Sequence, residues 1–410
     1  MDRLLLLIPT TSYRVSDFLE AAHRLNVEVT VGSDQRQVLE KYSQGRTVTL
    51  NFRNLERGTK QIVDFAHRYP LRAIIATDEE TTMLAAKASK ALGLPHNSPA
   101  SVEAATNKYR FRVALAEAGL PSPQFTLVSL DESPAEAARR VAYPCVLKPL
   151  ALSASRGVIR ADDAAAFVAN FHRIAKILRA RDIESPAEVG QHLLVETYIP
   201  GTEVALEGLL IRGRLNVLAL FDKPDPLEGP FFEETIYVTP SRLPKAVQCM
   251  ITAATAEAVD ALGLLEGPIH AELRVSEDGP VMIELAARSI GGLCSRVLRF
   301  GAGIRLEDLI LQHALGLPIE SLEREDRPAG VMMIPIPRAG RLQQVRGIQR
   351  ARNVPGVEDV AITIPLGQEV IPLPEGNKYL GFIFARKETP EAVEATLREA
   401  HNRLQFVIEP

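Results

Sequence analysis

Residues 268–292 read P-I-H-A-E-L-R-V-S-E-D-G-P-V-M-I-E-L-A-A-R-S-I-G-G, and the fold turns on how this stretch pairs with itself. Ile269, Ala271, Leu273 and Val275 alternate with His270, Glu272 and Arg274, the period-two pattern of a half-buried strand. Val281, Ile283 and Leu285 then alternate with Met282, Glu284 and Ala286, and Arg288 continues the second face. Between the two runs, Glu277-Asp278-Gly279 predicts a three-residue hairpin loop with glycine at its left-handed position. A turn centred on Asp278 sets Glu272 directly opposite Glu284, and opposed residues on one face have Cβ atoms about 4.5–5.5 Å apart. Two carboxylates that close repel unless a cation lies between them. Hard cations such as Mg²⁺ take oxygen ligands, usually one or two carboxylates plus phosphate oxygens. The same pattern also fits a solvent-facing hairpin with basic neighbours.

Upstream, Tyr143–Pro149 (Y-P-C-V-L-K-P) ends an apolar strand on Lys148, which needs an anionic partner or a path to water. Ser153-Ala154-Ser155-Arg156-Gly157-Val158 follows. Such a run of small residues can lay its backbone N–H groups around phosphate oxygens, and it can equally form an ordinary tight hairpin. Leu193–Leu210 (L-L-V-E-T-Y-I-P-G-T-E-V-A-L-E-G-L-L) folds about Pro200-Gly201, with Glu196 closing one strand and Glu203 opening the next. Glu203, Ala205 and Glu207 share one face, Val204, Leu206 and Leu210 the other. Either a nucleotide base rests against this hinge or the glutamates line a sheet edge in water. Lys108 falls in a helix predicted from Ser101 to Ala118, where a lone lysine is ordinarily solvated.

The remaining sequence sets the frame. A length of 410 residues favours two or three domains. A hydrophobic share of 46% with Lys+Arg 47 against Asp+Glu 51 supports a packed core and excludes a largely disordered chain. Net charge −4 offers no basic footprint, so no nucleic-acid partner is expected. Cys145, Cys249 and Cys294 are widely spread, which disfavours a disulfide framework or thiolate zinc site and suits a cytoplasmic protein. None of the eight His gives a ligand spacing, and no G-x-S-x-G occurs. The run Leu4–Ile8 is too short to span a membrane, and Asp2 with one Arg is a poor signal-peptide start. Leu4–Ile8, Val27–Val31 and Ala73–Ile75 read as strands alternating with helices over Asp17–Leu25 and Thr81–Leu92, hence parallel βαβ units. No Gly-rich fingerprint follows the first strand, so that half is not expected to bind a dinucleotide. From Phe125 to about Glu325, short β-rich runs surround helices predicted at Ala161–Ala180 and Lys245–Leu262. A polar break at Glu325–Pro328 precedes strands at Val331–Ile336, Val360–Ile364 and Leu380–Ala385 and a helix at Pro390–Leu404. The fold class expected is mixed α/β and α+β, with a parallel α/β domain over 1–100, a central domain over 101–325 and a small α+β domain over 326–410.

Taken in order, Lys108, Lys148 before its small-residue loop, Glu196, Glu203, then Glu272, Glu284 and Arg288 resemble the ATP-grasp enzymes. The resemblance makes the central region an ATP-grasp fold of two α+β subdomains and the first hundred residues its preceding domain. Gly330–Met333, Val354–Val357 and Tyr379–Phe382, with Glu284–Gly292, are similar to the L-amino acid ligases, which make dipeptides. Carried over, the resemblance puts Lys108 and Lys148 on ATP phosphates with Ser155 and Gly157 in the phosphate loop. Glu196, Tyr198 and Ile199 would meet adenine and Glu203 the ribose. Glu272 and Glu284 would hold Mg²⁺, one or two ions, with Mn²⁺ as an alternative, and Arg288 would act on the transferring phosphoryl. Ser289, Gly291 and Gly292 would receive a substrate carboxylate, and Glu233 or Glu234, in an acidic flap, an ammonium. Ala286 stands where relatives carry a metal-binding Asn, and Ala154 where a loop glycine is common. The implied activity is an ATP-dependent carboxylate–amine ligase acting through an acylphosphate on small-molecule acid and amine substrates, without a membrane partner and with room for a homodimer. Two competitors are a carboxylase-like or purine-type ligase using bicarbonate or formate, and a non-catalytic nucleotide-binding module.

Overall fold

The computed structural model describes residues 3–10, 12–35, 43–180, 183 and 187–410, and of residues 187 and 188 the backbone alone. Strand β1 (Arg3–Leu7) is buried along its whole length, as a central parallel strand covered on both faces must be. After it come α1 (Val15–Arg24), β2 (Glu28–Ser33), β3 (Thr47–Thr49), α2 (Leu55–Ala66), β4 (Ala73–Ala76) and α3 (Glu79–Leu92). They build a parallel sheet of order β3-β2-β1-β4. Leu4 and Leu6 pack with Phe18 of α1, while Leu5 and Leu7 pack with Ile62 of α2 and Leu84 of α3.

Where the sequence predicts one helix over 101–118, the chain makes two, α4 (Pro99–Thr106) and α5 (Lys108–Glu117). Asn107 takes an extended conformation between them (φ −99°, ψ 108°), and its side chain accepts from the backbone N–H groups of Tyr109 and Arg110. An Asn that satisfies the first donors of a new helix ends the old one. Lys108 therefore opens a helix instead of sitting in the middle of one.

The next unit holds β5 (Phe125–Ser129), α6 (Pro134–Ala138), β6 (Cys145–Pro149), β7 (Ile159–Ala161), α7 (Ala164–Leu178), α8 (Ala187–Gly190) and β8 (His192–Thr197). Its antiparallel sheet, order β5-β8-β6-β7, is covered by Phe167 and Phe171 of α7. Then follow β9 (Thr202–Ile211), β10 (Arg214–Asp222), β11 (Ile236–Thr239), α9 (Lys245–Leu262), β12 (Gly267–Ser276), β13 (Gly279–Ala286) and α10 (Leu306–Leu315). The chain ends with β14 (Ala329–Ile334), β15 (Gly340–Arg346), α11 (Ile348–Arg352), β16 (Val357–Ile362), β17 (Glu369–Val370), β18 (Gly381–Arg386), α12 (Pro390–Asn402) and β19 (Gln405–Glu409). One eight-stranded antiparallel sheet, order β13-β12-β9-β10-β11-β14-β18-β16, runs unbroken across residue 325. A small sheet of order β17-β15-β19 stands apart from it. Among the described residues no helix is long and apolar enough to cross a membrane.

The β12–β13 hairpin departs from its predicted turn yet arrives at the predicted pairing. Ser276 pairs with Gly279, so the loop is the two residues Glu277-Asp278. The register runs regularly to Leu273 opposite Met282 and then slips, leaving Ile283 as an extra residue and Glu272 opposite Glu284. A loop shorter by one residue and a one-residue bulge cancel. The bulge also corrects the predicted faces. Met282 joins Leu273 and Leu285 in the core, and Ile283 turns into the cleft described below.

Candidate active site

Lys148 closes β6 at 7% exposure, with its Nζ 2.5 Å from Glu196 Oε2 at the end of β8. Arg112 of α5, wholly buried, completes the group: Nε donates to Glu196 Oε1 (2.6 Å), and Nη1 donates to the carbonyl of Met282 (2.7 Å). Its Nη2 donates to Glu196 Oε2 (3.3 Å) and to the carbonyl of Ile283 (3.0 Å). One guanidinium thus ties the β5-β8-β6-β7 sheet to the bulge of the eight-stranded one. Burial alone would raise the Glu196 carboxyl, but Arg112 and Lys148 outweigh it and hold the group down at about 2. Burial also lowers Lys148, against the pull of Glu196. Arg112 escaped the sequence reading, although an arginine on the α5 face that buries Phe111 and Leu115 was the available signal.

Lys108 reaches across the same cleft. Its backbone N–H donates to the carbonyl of Leu150 (2.9 Å), and its Nζ donates to the carbonyl of Leu152 (2.9 Å) and lies 3.3 Å from Glu284 Oε2. In the loop after β6, Ala154 and Ser155 both adopt left-handed conformations (φ 54° each), which cost an L-residue about 1–2 kcal/mol apiece. Gly157 (φ 72°) is forced, because a Cβ there would stand 2.8 Å from the Pro149 ring. Its N–H donates to the carbonyl of Pro374 (2.9 Å).

The carboxylates gather on the opposite wall. Oxygens of Glu203, Glu234 and Glu272 lie within 4.8 Å of one another. Lys223 Nζ stands among them, 2.8 Å from Glu203 Oε1 and 3.5 Å from Glu272 Oε2, and also bonds Glu234. Arg274 takes the other oxygen of Glu203 at 3.1 Å and donates to the hydroxyl of Tyr198 (2.8 Å) and the carbonyl of Ile199 (3.1 Å). His270 Nδ1 lies 3.2 Å from the buried Glu207, and its Nε2 lies 3.3 Å from Glu272. Burial raises the Glu234 carboxyl to about 7, Glu272 and Glu203 adding to it and Lys223 opposing. Burial likewise raises Glu272 despite Lys223, with Glu203 and Glu284 pushing the same way. Glu272 faces Glu284 across the hairpin, and carboxylate oxygens are the donors a hard divalent ion takes. On Glu284 the balance differs, since Lys108, Arg288 and Lys148 together overcome burial and lower it. Lys223 also carried a signal: Lys223-Pro224 after an apolar strand repeats the pattern of Lys148-Pro149.

One cleft is lined together by Lys108, Lys148, Ser155, Glu196, Tyr198, Ile199, Glu203, Glu272 and Glu284. The other sequence-predicted residues lie outside its lining. Arg288 pairs with Glu79 at the start of α3 (Nε to Oε2, 2.7 Å). The Ser289 hydroxyl accepts from the buried Arg14 (2.8 Å), and the backbone N–H of Ile290 donates to Glu207. Gly291 has open space where a side chain would be, whereas Gly292 faces Phe382. Ala286 is buried at 2% and brings no ligand atom. Glu233 is half-buried, which raises its carboxyl, and Glu234 belongs to the acidic cluster.

Three family models cover most of the chain in succession. They are the ATP-grasp N-terminal domain over 19–96, the ATP-grasp domain over 141–297 and the L-amino acid ligase C-terminal domain 2 over 332–409. The chain belongs to the ATP-grasp superfamily. ATP-grasp proteins work with ATP and a divalent metal. A crystal structure of an L-amino acid ligase from Bacillus licheniformis matches with a TM-score of 0.84 and 27% identity, covering 100% of this chain and 99% of that one. The uncharacterized protein y4rH of Sinorhizobium fredii is 24% identical over 100% of this chain and 84% of its own. Alanine–anticapsin ligase of Bacillus subtilis is 28% identical over 58% of this chain and 52% of its own. Dapdiamide A synthase of Enterobacter agglomerans is 29% identical over 55% of this chain and 52% of its own. The chain thus spans about half the length of these two ligase and synthase relatives. The biotin carboxylase domain of Hydrogenobacter thermophilus 2-oxoglutarate carboxylase, solved with MgADP, shares the fold at a TM-score of 0.70 and 16% identity, over 99% of this chain and 91% of that one.

Proposed function

We propose that this ATP-grasp chain is a carboxylate–amine ligase that joins two amino-acid-like substrates at the expense of ATP. The observation that carries the reading is Glu272 opposite Glu284 in a cleft shared with Lys108 and Lys148. In the reaction a substrate carboxylate oxygen attacks the γ-phosphorus and the bond to the β-phosphate bridge breaks, giving an acylphosphate and ADP. The amine nitrogen then attacks the acyl carbon, the carbon–oxygen bond to phosphate breaks, and the amine proton leaves with phosphate or solvent. Phosphoryl transfer asks the protein for positioning and charge neutralisation more than for a nucleophile.

This chain's residues supply those two things. Lys148 and Lys108 lie where phosphate oxygens would enter, and the left-handed turn at Ala154 and Ser155 offers backbone donors. Tyr198 and Ile199 border the adenine end, where Arg274 anchors their hinge to Glu203. Glu203 is occupied by Lys223 and Arg274, so in this reading it shapes the ribose end and the acidic wall together. Glu272 and Glu284 would hold Mg²⁺, or Mn²⁺, a Lewis acid that draws charge from the phosphate oxygens when bound. With Ala286 in place of a ligand, a second ion would rely on phosphate and water. Glu234, in the acidic cluster, would receive an ammonium, and Arg288 with the Ser289–Gly292 segment a carboxylate. The substrates are read as amino-acid-like from the match to the L-amino acid ligase C-terminal domain and the relatives' names.

Phosphate release from MgATP tests the proposal, with paired amino acids screened by mass spectrometry for a product lighter than their sum by one water. Release only when acid and amine are both present is the expected result. Hydroxylamine should intercept the acylphosphate as a hydroxamate. Release with bicarbonate or formate alone would favour the carboxylase-like alternative, and no release under any pairing a nucleotide-binding module.

A further inference from the structure

A second cavity, of 450 Å³, opens where the N-terminal sheet meets the large one, and it shares no lining residue with the cleft of the lysines. Its size falls in the range of small-molecule sites, roughly 300–1,000 Å³. One wall is β4, the edge strand that pairs with β1 alone, together with Ala85 and Ala86 of α3. The facing wall is the turn after β9 and the start of β12, and Ile310 and Leu315 of α10 add apolar surface. The polar lining is lopsided. Arg72, Arg212 and Arg288 stand with His96 and His313 against Glu266 as the one lining carboxylate, itself 3.1 Å from His313.

Apolar walls with guanidinium groups in the lining, one of them, Arg288, already held by Glu79, suit an anion with a hydrocarbon body. Guanidinium matches carboxylate geometry in a two-point fork. We propose that this cavity binds a free amino acid or short peptide by its carboxylate, as a ligand site separate from the nucleotide cleft. Arg288 is the link between the two. It lines the cavity, pairs with Glu79 and lies near enough to Glu284 to feel that charge. A carboxylate in the cavity would compete with Glu79 for the same fork, so its occupancy bears on where Arg288 points. That coupling and the choice of an amino acid or peptide as the ligand rest on the ligase reading, whereas the preference for a carboxylate with an apolar body does not.

Calorimetric titration of the full chain without nucleotide, using L-leucine, leucinamide and leucyl-leucine as probes, tests the site. Leucine or leucyl-leucine is expected to bind, and leucinamide at least about tenfold more weakly, since it lacks the carboxylate. Binding of the free amino acid marks a substrate-like ligand, binding of the peptide alone a product-like one. Ala86→Trp fills the cavity from α3, and Arg212→Glu reverses charge at an exposed turn. Each should weaken binding by about tenfold or more while leaving MgATP affinity unchanged. If Ala86→Trp does not fold, Arg212→Glu decides. No binding by either carboxylate probe, equal binding of leucinamide, or unchanged affinity in the variants overturns the proposal. Phosphate release with acid and amine, followed in parallel, separates the failures: release without cavity binding sinks the cavity, and cavity binding without release sinks the ligase reading.

Discussion

Arg112, Lys148 and Glu196 show how much one buried carboxylate organises. Glu196 titrates at about 2 in the fold against an ordinary 4.5. A depressed carboxyl contributes stability that is fully present above the unfolded value and is lost as pH falls through the folded one. Here the window runs from about pH 4.5 down to about 2, and the shift is worth roughly 3 kcal/mol. Urea unfolding should therefore become easier as pH drops from 5 toward 3. Glu196→Gln, which leaves two cations facing an amide, should be less stable at pH 7 and flatter across that window. Equal slopes for both proteins would show that Glu196 does not drive the acid sensitivity. Glu284→Gln probes the opposite wall: in the proposed reaction amide formation should vanish while the protein still folds, with a modest loss of stability because Lys108 loses its partner. Wild-type turnover in that variant would mean the metal lies elsewhere. Lys148 was legible as a lysine stranded at the end of an apolar strand. Its partner Arg112 was not, because sequence spacing does not reveal which distant carboxylate a helix face will meet.

At the scale of elements, two local devices set the cleft. Asn107 ends α4 and caps α5, placing Lys108 at a helix start with its N–H on Leu150. Asn107→Ala should cost about 1 kcal/mol of stability and raise the KM for ATP, whereas Asn107→Asp keeps an N-cap acceptor and should retain both. A KM unmoved in the alanine variant would separate the cap from Lys108. The break was hard to read because neither Gly nor Pro marks it, and Asn alone is compatible with a helix interior. In β13 the run V-M-I-E-L-A is apolar on both faces around Glu284, so no alternation betrays the bulge at Ile283. The facing glutamates were legible only because the short turn and the extra residue offset each other. By contrast, β1, β2 and β4 of the N-terminal parallel sheet were plain in the sequence, since β1 carries apolar side chains to both faces, whereas the short β3 and the helix α2 after it were not read.

Across the whole molecule, the chain's last unit reaches back to the loop after β6 and to α7. Gly157 N–H donates to Pro374, and Arg173 of α7 grips Glu375 through two bonds, Nε to Oε1 (2.6 Å) and Nη2 to Oε2 (3.0 Å). Both side chains of that ion pair are 41% exposed, so the pair adds only about 0.2–1 kcal/mol to folding. In the proposed ligase reaction its consequence should be kinetic, because an acylphosphate survives only while water is kept from it. Glu375→Ala is therefore expected to leave the melting temperature nearly unchanged, raise the KM for ATP, and release more phosphate than amide. Raising salt on the wild-type protein should move the phosphate-to-amide ratio the same way, since exposed charges are screened at high ionic strength. The Gly157–Pro374 bond is not ionic, so salt should act more weakly than the substitution if that bond shares the load. A phosphate-to-amide ratio that stays at parity in Glu375→Ala and at high salt would mean that this contact does not close the loop over the reacting atoms.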